Sequence, residues 1–233
     1  MPKSKIKIFT FEQGSEEWNA IRIGRLTGSE AWRVFNASNG ELKTEWRSYA
    51  ARCASEVVTG WSEERNFDTE ATIYGKTLEP EAIDAYQSLV GKDYIQPGFV
   101  IHKDFLFLGF SPDGYAEDKN NRRSSIQVKC PLNPSEFVKF HVLRKVDPHY
   151  KIQCLYELAL DYQLNKVNLV FYDERQPGTK ISEMRYSREE YEPIINKLVE
   201  SMRYFCDEVE VYISILLNDD KIAIKEAIGK MDR

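Results

Sequence analysis

Apolar residues at helical spacing dominate both ends of the chain, and short apolar runs fill its middle; this alternation lays out the elements. The chain opens on KIKIFTF, a short strand or arm ending at Gln13-Gly14. Ser15 reads as an N-cap, with Glu16 and Glu17 in the first turn of a short helix carrying Trp18 and Ile21. Thr27-Gly28-Ser29 breaks the chain, and Ser29 is expected to cap a second helix bearing Ala31, Trp32 and Phe35. Residues 45–59 set Trp46, Tyr49, Ala50, Cys53, Ala54 and Val57 on one helical face, closed by Thr59-Gly60. A longer helical pattern runs over 70–89, with Ile73, Leu78, Ala82, Ile83 and Tyr86 on its apolar side. Pro80 inside it predicts a kink or a new helix start nearby.

From residue 95 the period shortens to that of strands. Residues 98–101 and 105–110 come first, then the Ser-Pro-Asp-Gly segment, a charged turn from Glu117 to Ser124, and a strand over 125–129. A short helix is expected over 134–142, and Pro148 opens a strong one with Ile152, Leu155, Tyr156, Ala159 and Leu160 inward. Strands over 167–172 and 181–186 are placed to pair antiparallel, and a long helix runs from Glu189 to about Leu217 before a charged, loosely helical tail. The expected fold class is α/β (α+β): a central mixed β-sheet of strands 105–110, 112–116, 125–129, 167–172 and 181–186, flanked by helices. There is no internal repeat or Pro/Gly-rich linker, so residues 1–233 read as one domain.

Composition narrows the class without naming a function. With 42% hydrophobic and 30% charged residues, the chain has the make-up of a soluble globular protein. No apolar run approaches a membrane span, and the N-terminus lacks the pattern of a signal peptide, so a cytoplasmic location is expected. Four scattered cysteines, with no CxxC pair, suggest neither a zinc site nor a disulfide framework. A net charge of −5 argues against a general nucleic-acid coat but leaves a nuclease open, because local basic tracks and acidic metal ligands cancel in the sum.

The candidate chemistry centres on GFSPDGYAEDKNNRRSSIQVKCP, residues 109–131. Asp113 is a first candidate ligand for Mg²⁺, which prefers oxygen donors and is usually held by one or two carboxylates with water and phosphate. Gln127 offers a neutral amide oxygen, and the Val128 carbonyl is a further candidate. Lys129 shares a strand face with Gln127, from where it could orient a water or neutralise charge on a phosphate. Glu79 is a second carboxylate, on a helix expected to begin near Gly75-Lys76. Tyr150 and Gln153 share a helix face at the rim of the apolar stripe. Arg22, Arg25, Thr27 and Ser29 surround a helix start, an arrangement suited to an anion. Taken singly, Asp113, Lys129, Glu79, Tyr150 and Gln153 read more readily as ordinary surface or flanking residues, and the arginine-lined helix start reads as well as a capping serine with surface arginines.

Together they resemble a family. EQGSEEWNAIRIGRLTGSEAWRV, YGKTLEPEAIDAY, GFSPDGY, IQVKCP and HYKIQCLYELAL stand in the order and approximate spacing of the YqaJ-type viral recombinase nucleases. These form the phage lambda exonuclease family of the PD-(D/E)xK superfamily. The resemblance runs from about Glu12 to about Tyr172, and the C-terminal helix matches only in type. It implies a PD-(D/E)xK restriction-endonuclease-like core and a metal site of Asp113, Gln127, Val128 and Glu79. Lys129 would be the catalytic lysine, Gln153 and Tyr150 would line the active site, and Arg22, Ser29 and Ser111 would bind the 5′-phosphate, with Gln153 and Arg25 beside them.

The implied activity is 5′→3′ degradation of one strand of linear double-stranded DNA, using two Mg²⁺ ions, with Mn²⁺ as a substitute, and leaving a 3′ single strand for recombination. The implied partners are duplex DNA ends, a phage-type single-strand annealing protein and two further copies in a homotrimer, in a bacterial host carrying the phage or prophage. The departure is Gln127, where the family expects Glu. Either glutamine is native to the site or it marks a Glu→Gln change that traps DNA uncut; the second reading predicts that Gln127→Glu raises Mg²⁺-dependent cutting by orders of magnitude. Two other readings remain: a catalytically silent DNA-end binding module, and a related nuclease of different polarity or endonuclease action.

Overall fold

Among the described residues the strands form two four-stranded sheets, in place of the single sheet of about five strands expected from sequence. The computed structural model describes residues 6–63, 69–119 and 122–231. Lys5, the start of the expected KIKIFTF strand, and residues 120–121 in the charged turn lie outside these. The first sheet has the order β1-β3-β4-β2, from β1 (Ile6–Phe9), β2 (Leu26–Thr27), β3 (Phe99–His102) and β4 (Phe105–Phe110). The second has the order β5-β6-β7-β8, from β5 (Gly114–Glu117), β6 (Arg123–Lys129), β7 (Leu164–Tyr172) and β8 (Ile181–Ser187).

The expected strand 105–110 therefore belongs to the first sheet, antiparallel to β3 and parallel to β2. Its run of buried Phe105, Phe107, Leu108 and Phe110 announces a buried strand but carries no information about its partner. The two-residue β2 is too short for any periodicity to reveal, and it stands where a chain break was expected. Both sheets are mixed: β6 and β7 run parallel, while β5 and β8 pair antiparallel on either side, β7–β8 as expected.

The helices follow the sequence more closely. Ser15 caps α1 (Glu16–Arg22) by accepting the Trp18 N–H at 3.1 Å. Ser29 does not cap the next helix: it lies inside a 3₁₀ turn, Gly28–Glu30, that runs into the short α2 (Ala31–Val34). Then come α3 (Trp46–Thr59) and α4 (Glu70–Val90). Pro80 neither starts nor ends α4; it is exposed, and its missing N–H removes one bond from a helix held by its neighbours. Glu79 thus sits well inside this helix, not near its beginning. Ile73, expected inward, is exposed, while Leu78, Ala82 and Tyr86 are buried. The chain continues through α5 (Pro134–Leu143), α6 (Pro148–Leu160), α7 (Arg188–Leu216) and α8 (Lys221–Lys230).

The second sheet sorts its residues between two helical layers by strand alternation. Ile126, Val128, Cys130, Val170 and Tyr172 pack with Leu78, Ala82 and Tyr86 of α4. Val167, Leu169 and Phe171 join Ile152, Leu155 and Tyr156 of α6 and Leu198, Met202 and Phe205 of α7 in the larger core, which also takes in β4. The odd positions of β6, Ser125, Gln127 and Lys129, therefore face α6.

Candidate active site

Asp113 lies in the three-residue link, 111–113, through which the chain leaves β4 of the first sheet for β5 of the second. The turn is tight: a side chain at Gly114 would stand 2.8 Å from Cβ of Tyr94 and 3.1 Å from Cγ1 of Ile126, so glycine is required there by close approach. Asp113 is 8% exposed and accepts the Val128 N–H at 2.6 Å through Oδ2. This bond ties the motif aspartate to the backbone of β6, between Gln127 and Lys129.

The α6 face reads β6 residue by residue. Positions 150, 153 and 157 recur at one side of a helix, and 129, 127 and 125 at one side of a strand. Lys129 Nζ lies 5.6 Å from the centre of the Tyr150 ring, whose edge rests on Phe171 with centroids 5.7 Å apart. Gln153 Nε2 donates to Gln127 Oε1 at 2.6 Å, and Lys129 Nζ donates to the same oxygen at 3.2 Å. Gln127 Nε2 donates to Glu157 Oε1 at 2.7 Å and to the Ser111 carbonyl at 3.3 Å. Ser125 donates to the other oxygen of Glu157 at 2.8 Å. Both lone pairs of the Gln127 oxygen are thus taken by Lys129 and Gln153, so in this arrangement Gln127 organises its neighbours and has no lone pair open to a cation.

Glu79 reaches the same place from the opposite layer, beside Leu78 of α4. Burial, reinforced by Asp113 and offset by Lys129, raises its carboxyl to about 7. Burial also raises Asp113, against the pull of Lys129 and the Val128 N–H. Two carboxylates near enough for the charge of one to oppose ionisation of the other, in a desolvated site, make a place where a cation would relieve the repulsion. Among the described residues no three His, Cys, Asp or Glu side chains form a metal cage. An oxygen set of Asp113, Glu79 and the neighbouring Val128 backbone, completed by water and phosphate, is what Mg²⁺ uses and fits these residues.

The anion residues divide. Arg22 stacks on Trp18, 4.0 Å from the ring centre, and Trp18 Nε1 donates to Ser111 Oγ at 2.9 Å, which brings Arg22 and Ser111 to the same side of the motif link. Ser29 is exposed beside Thr27, their hydroxyls 3.2 Å apart, and a Cβ on adjacent Gly28 would lie 3.7 Å from Cγ of Gln153. Arg25 does not join them. It is 3% exposed and its guanidinium donates to the carbonyls of Leu106 at 2.9 Å, Ile21 at 2.5 Å and Met231 at 3.0 Å. A lone arginine in sequence shows its charge but not its direction; this one staples α1, β4 and the C-terminal end. Arg25→Ala is expected to destabilise the fold by about 3 kcal/mol, the cost of leaving buried carbonyls unpaired. Thermal unfolding would register this as a lowered Tm; an unchanged Tm would contradict the staple.

Sequence reading missed two residues of the site. Glu157 is fully buried, and burial raises its carboxyl to about 8 against the hydrogen bonds of Ser125 and Gln127. Its signal was available: a lone carboxylate in the apolar run CLYELAL, four residues after Gln153. Trp18, read only as a residue carried by the short first helix, is the brace between Arg22 and Ser111.

Residues 17–162 match the YqaJ-like viral recombinase domain. No curated protein sequence matches the chain. Among solved structures, the chain is similar to an alkaline exonuclease from Laribacter hongkongensis, at 25% identity and a TM-score of 0.72 over 88% of this chain and 97% of that one. The same enzyme in complex with dAMP matches with the same values. A phage related exonuclease from Haemophilus somnus 129PT shares the fold at 14% identity, with a TM-score of 0.53 over 84% of this chain and 96% of that one.

Proposed function

The chain belongs to the YqaJ-like viral recombinase family, and from that premise we propose that it is a Mg²⁺-dependent exonuclease. It degrades one strand of linear double-stranded DNA from 5′-phosphorylated ends and leaves a 3′ single strand for recombination. The observation that carries this reading is the convergence of Asp113, Glu79, Lys129, Gln153 and Tyr150 on the link between the two sheets. The Laribacter hongkongensis structure, an alkaline exonuclease, supports the nuclease chemistry, and its complex with dAMP supports a nucleotide ligand.

Within that reading Asp113 and Glu79 would hold the metal with the Val128 backbone. When bound, Mg²⁺ would polarise water and stabilise negative charge at the scissile phosphate. Lys129, steadied by the Gln127 oxygen and the Tyr150 ring, presents an ammonium to the negative charge that develops on the phosphate. Gln153, hydrogen-bonded to that same oxygen, lines the path between Lys129 and the Gly28–Ser29 segment. Arg22, braced on Trp18, takes the terminal 5′-phosphate with Ser111 and Ser29. The reading extends to a homotrimer that encloses the duplex and to transfer of the 3′ strand to an annealing protein.

Three substrates test it: 5′-phosphorylated linear duplex, 5′-hydroxyl linear duplex and closed circular duplex, each with Mg²⁺, with Mn²⁺ and with chelator. The phosphorylated duplex is expected to disappear fastest, the circle to survive and the chelator to stop the reaction. Cutting of the circle would favour an endonuclease; intact substrate that is nevertheless bound at its ends would favour the silent binding module. Arg22→Ala is expected to bring the rates on phosphorylated and hydroxyl ends together, with the rate on hydroxyl ends little changed. A preference that persists would remove Arg22 from the phosphate site.

A further inference from the structure

Gln127 occupies a position shaped for an amide. It makes four hydrogen bonds, the full complement of its group: two donated by Nε2, to Glu157 Oε1 and the Ser111 carbonyl, and two accepted by Oε1, from Gln153 and Lys129. Its orientation is forced, because the Lys129 ammonium can only donate and the Ser111 carbonyl can only accept. A carboxylate at 127 would have no hydrogen to give the first two partners: it could meet Glu157, at 2.7 Å, only by taking that carboxyl's proton, and it would meet the carbonyl, at 3.3 Å, oxygen to oxygen.

We propose that Glu157 is the positioning residue that makes glutamine the working side chain at 127: by accepting from Nε2 it turns the amide oxygen to Lys129 and Gln153 and so sets the lysine for the reaction. The pairing does not depend on the charge of Glu157, since a neutral carboxyl keeps an oxygen that accepts. Ser125 fixes the carboxyl from the other side, and all three side chains are buried. Gln127 is then matched to its surroundings from two elements, the interior of α6 and the motif link, rather than a lone defect in an intact motif. The inference rests on the nuclease reading for what Lys129 does, but the pairing is testable without it.

A double-mutant cycle decides the pairing. The wild type, Gln127→Glu, Glu157→Gln and the double variant are compared by thermal unfolding without metal at pH 8. Gln127→Glu is expected to lower the Tm by several degrees. Glu157→Gln should change it little, because an amide oxygen still accepts from Gln127. The double variant should recover most of the loss, because the amide at 157 then donates to the carboxylate at 127. Additive effects, or no loss in Gln127→Glu, would overturn the pairing.

The positioning role is read separately by kinetics on 5′-phosphorylated duplex. Glu157→Met removes the acceptor and is expected to lower kcat about tenfold at unchanged KM, while Glu157→Gln stays within about twofold of wild type. Equal kcat in all three, or a rise of orders of magnitude in Gln127→Glu alone, would overturn it. If Glu157→Met does not fold, the Gln127→Glu and double variants carry the kinetic comparison, the second expected to exceed the first about tenfold and equality overturning the role. A protein without nuclease activity would defeat the functional reading while leaving the unfolding cycle to decide the pairing.

Discussion

Asp113→Asn is expected to reduce Mg²⁺-dependent digestion about a thousandfold while leaving the metal-free protein as stable as before, or more so. The two effects have one cause. Asp113 is buried, accepts the Val128 N–H at 2.6 Å, and opposes ionisation of the Glu79 carboxyl. Asparagine keeps the shape and the amide oxygen that accepts from Val128, so the link between the sheets is held. It removes the charge that, on the proposed reading, would draw a cation into the site, and metal-borne charge stabilisation is worth several kcal/mol, or about three powers of ten in rate. It also removes the repulsion on Glu79, which can then ionise at less cost. The measurement is a pair: rate on 5′-phosphorylated duplex, and Tm at pH 8 in chelator. Activity within tenfold of wild type would take Asp113 out of the metal site. A marked fall in Tm would make it a structural residue of the link.

What the sequence showed of this site and what it hid follow from the range of each interaction. Local patterns were legible. Ser15 capping α1, Pro148 opening α6 and the antiparallel pairing of β7 with β8 all depend on residues close in the chain or on simple alternation. The five ordered motifs also placed Asp113, Lys129, Gln153 and Tyr150 in one neighbourhood, and the structure brings them there. Long-range choices were not legible. Strand β4 has the same apolar run whichever sheet it joins, and β2 exists only because Leu26 and Thr27 meet Leu108 and Gly109 from far along the chain. Arg25 and Arg22 look alike in sequence, yet one is turned into the core and the other rests on an indole.

Gln127 was the sharpest case. Against a family pattern it reads as a missing carboxylate. Against its neighbours it is a saturated amide whose acceptor, Glu157, lies thirty residues on. A substitution judged at one position had its counterpart on another element, where sequence alone gave it no partner.

The metal-free protein is expected to lose stability as pH rises from about 5.5 to 8.5, and Mg²⁺ is expected to return it most strongly at the alkaline end. Glu79, Asp113 and Glu157 are all raised by burial, Glu79 to about 7 and Glu157 to about 8. A carboxyl whose folded pKa lies above its unfolded value takes up protons preferentially in the folded state. Its contribution is therefore complete below the unfolded pKa and disappears as pH climbs through the folded one. For Glu79 the displacement from 4.5 to about 7 corresponds to roughly 3 kcal/mol at about 1.4 kcal/mol per unit. For a chain of this size that is on the order of 5–10 °C in Tm. Carboxylates held low by ion pairs, such as Asp173 beside Arg175, lose their contribution only at more acid pH and do not blur this window. On the proposed reading a divalent cation would bind the ionised pair of Asp113 and Glu79, so its stabilisation would grow as they shed protons. Thermal unfolding across the window, in chelator and in Mg²⁺, measures both trends. A Tm that is flat or rises with pH in chelator would contradict the raised carboxyls. A Mg²⁺ effect that is equal at pH 5.5 and 8.5 would separate the cation from Glu79. Glu79→Gln supplies the internal control, since it should weaken both trends and leave the share due to Asp113 and Glu157.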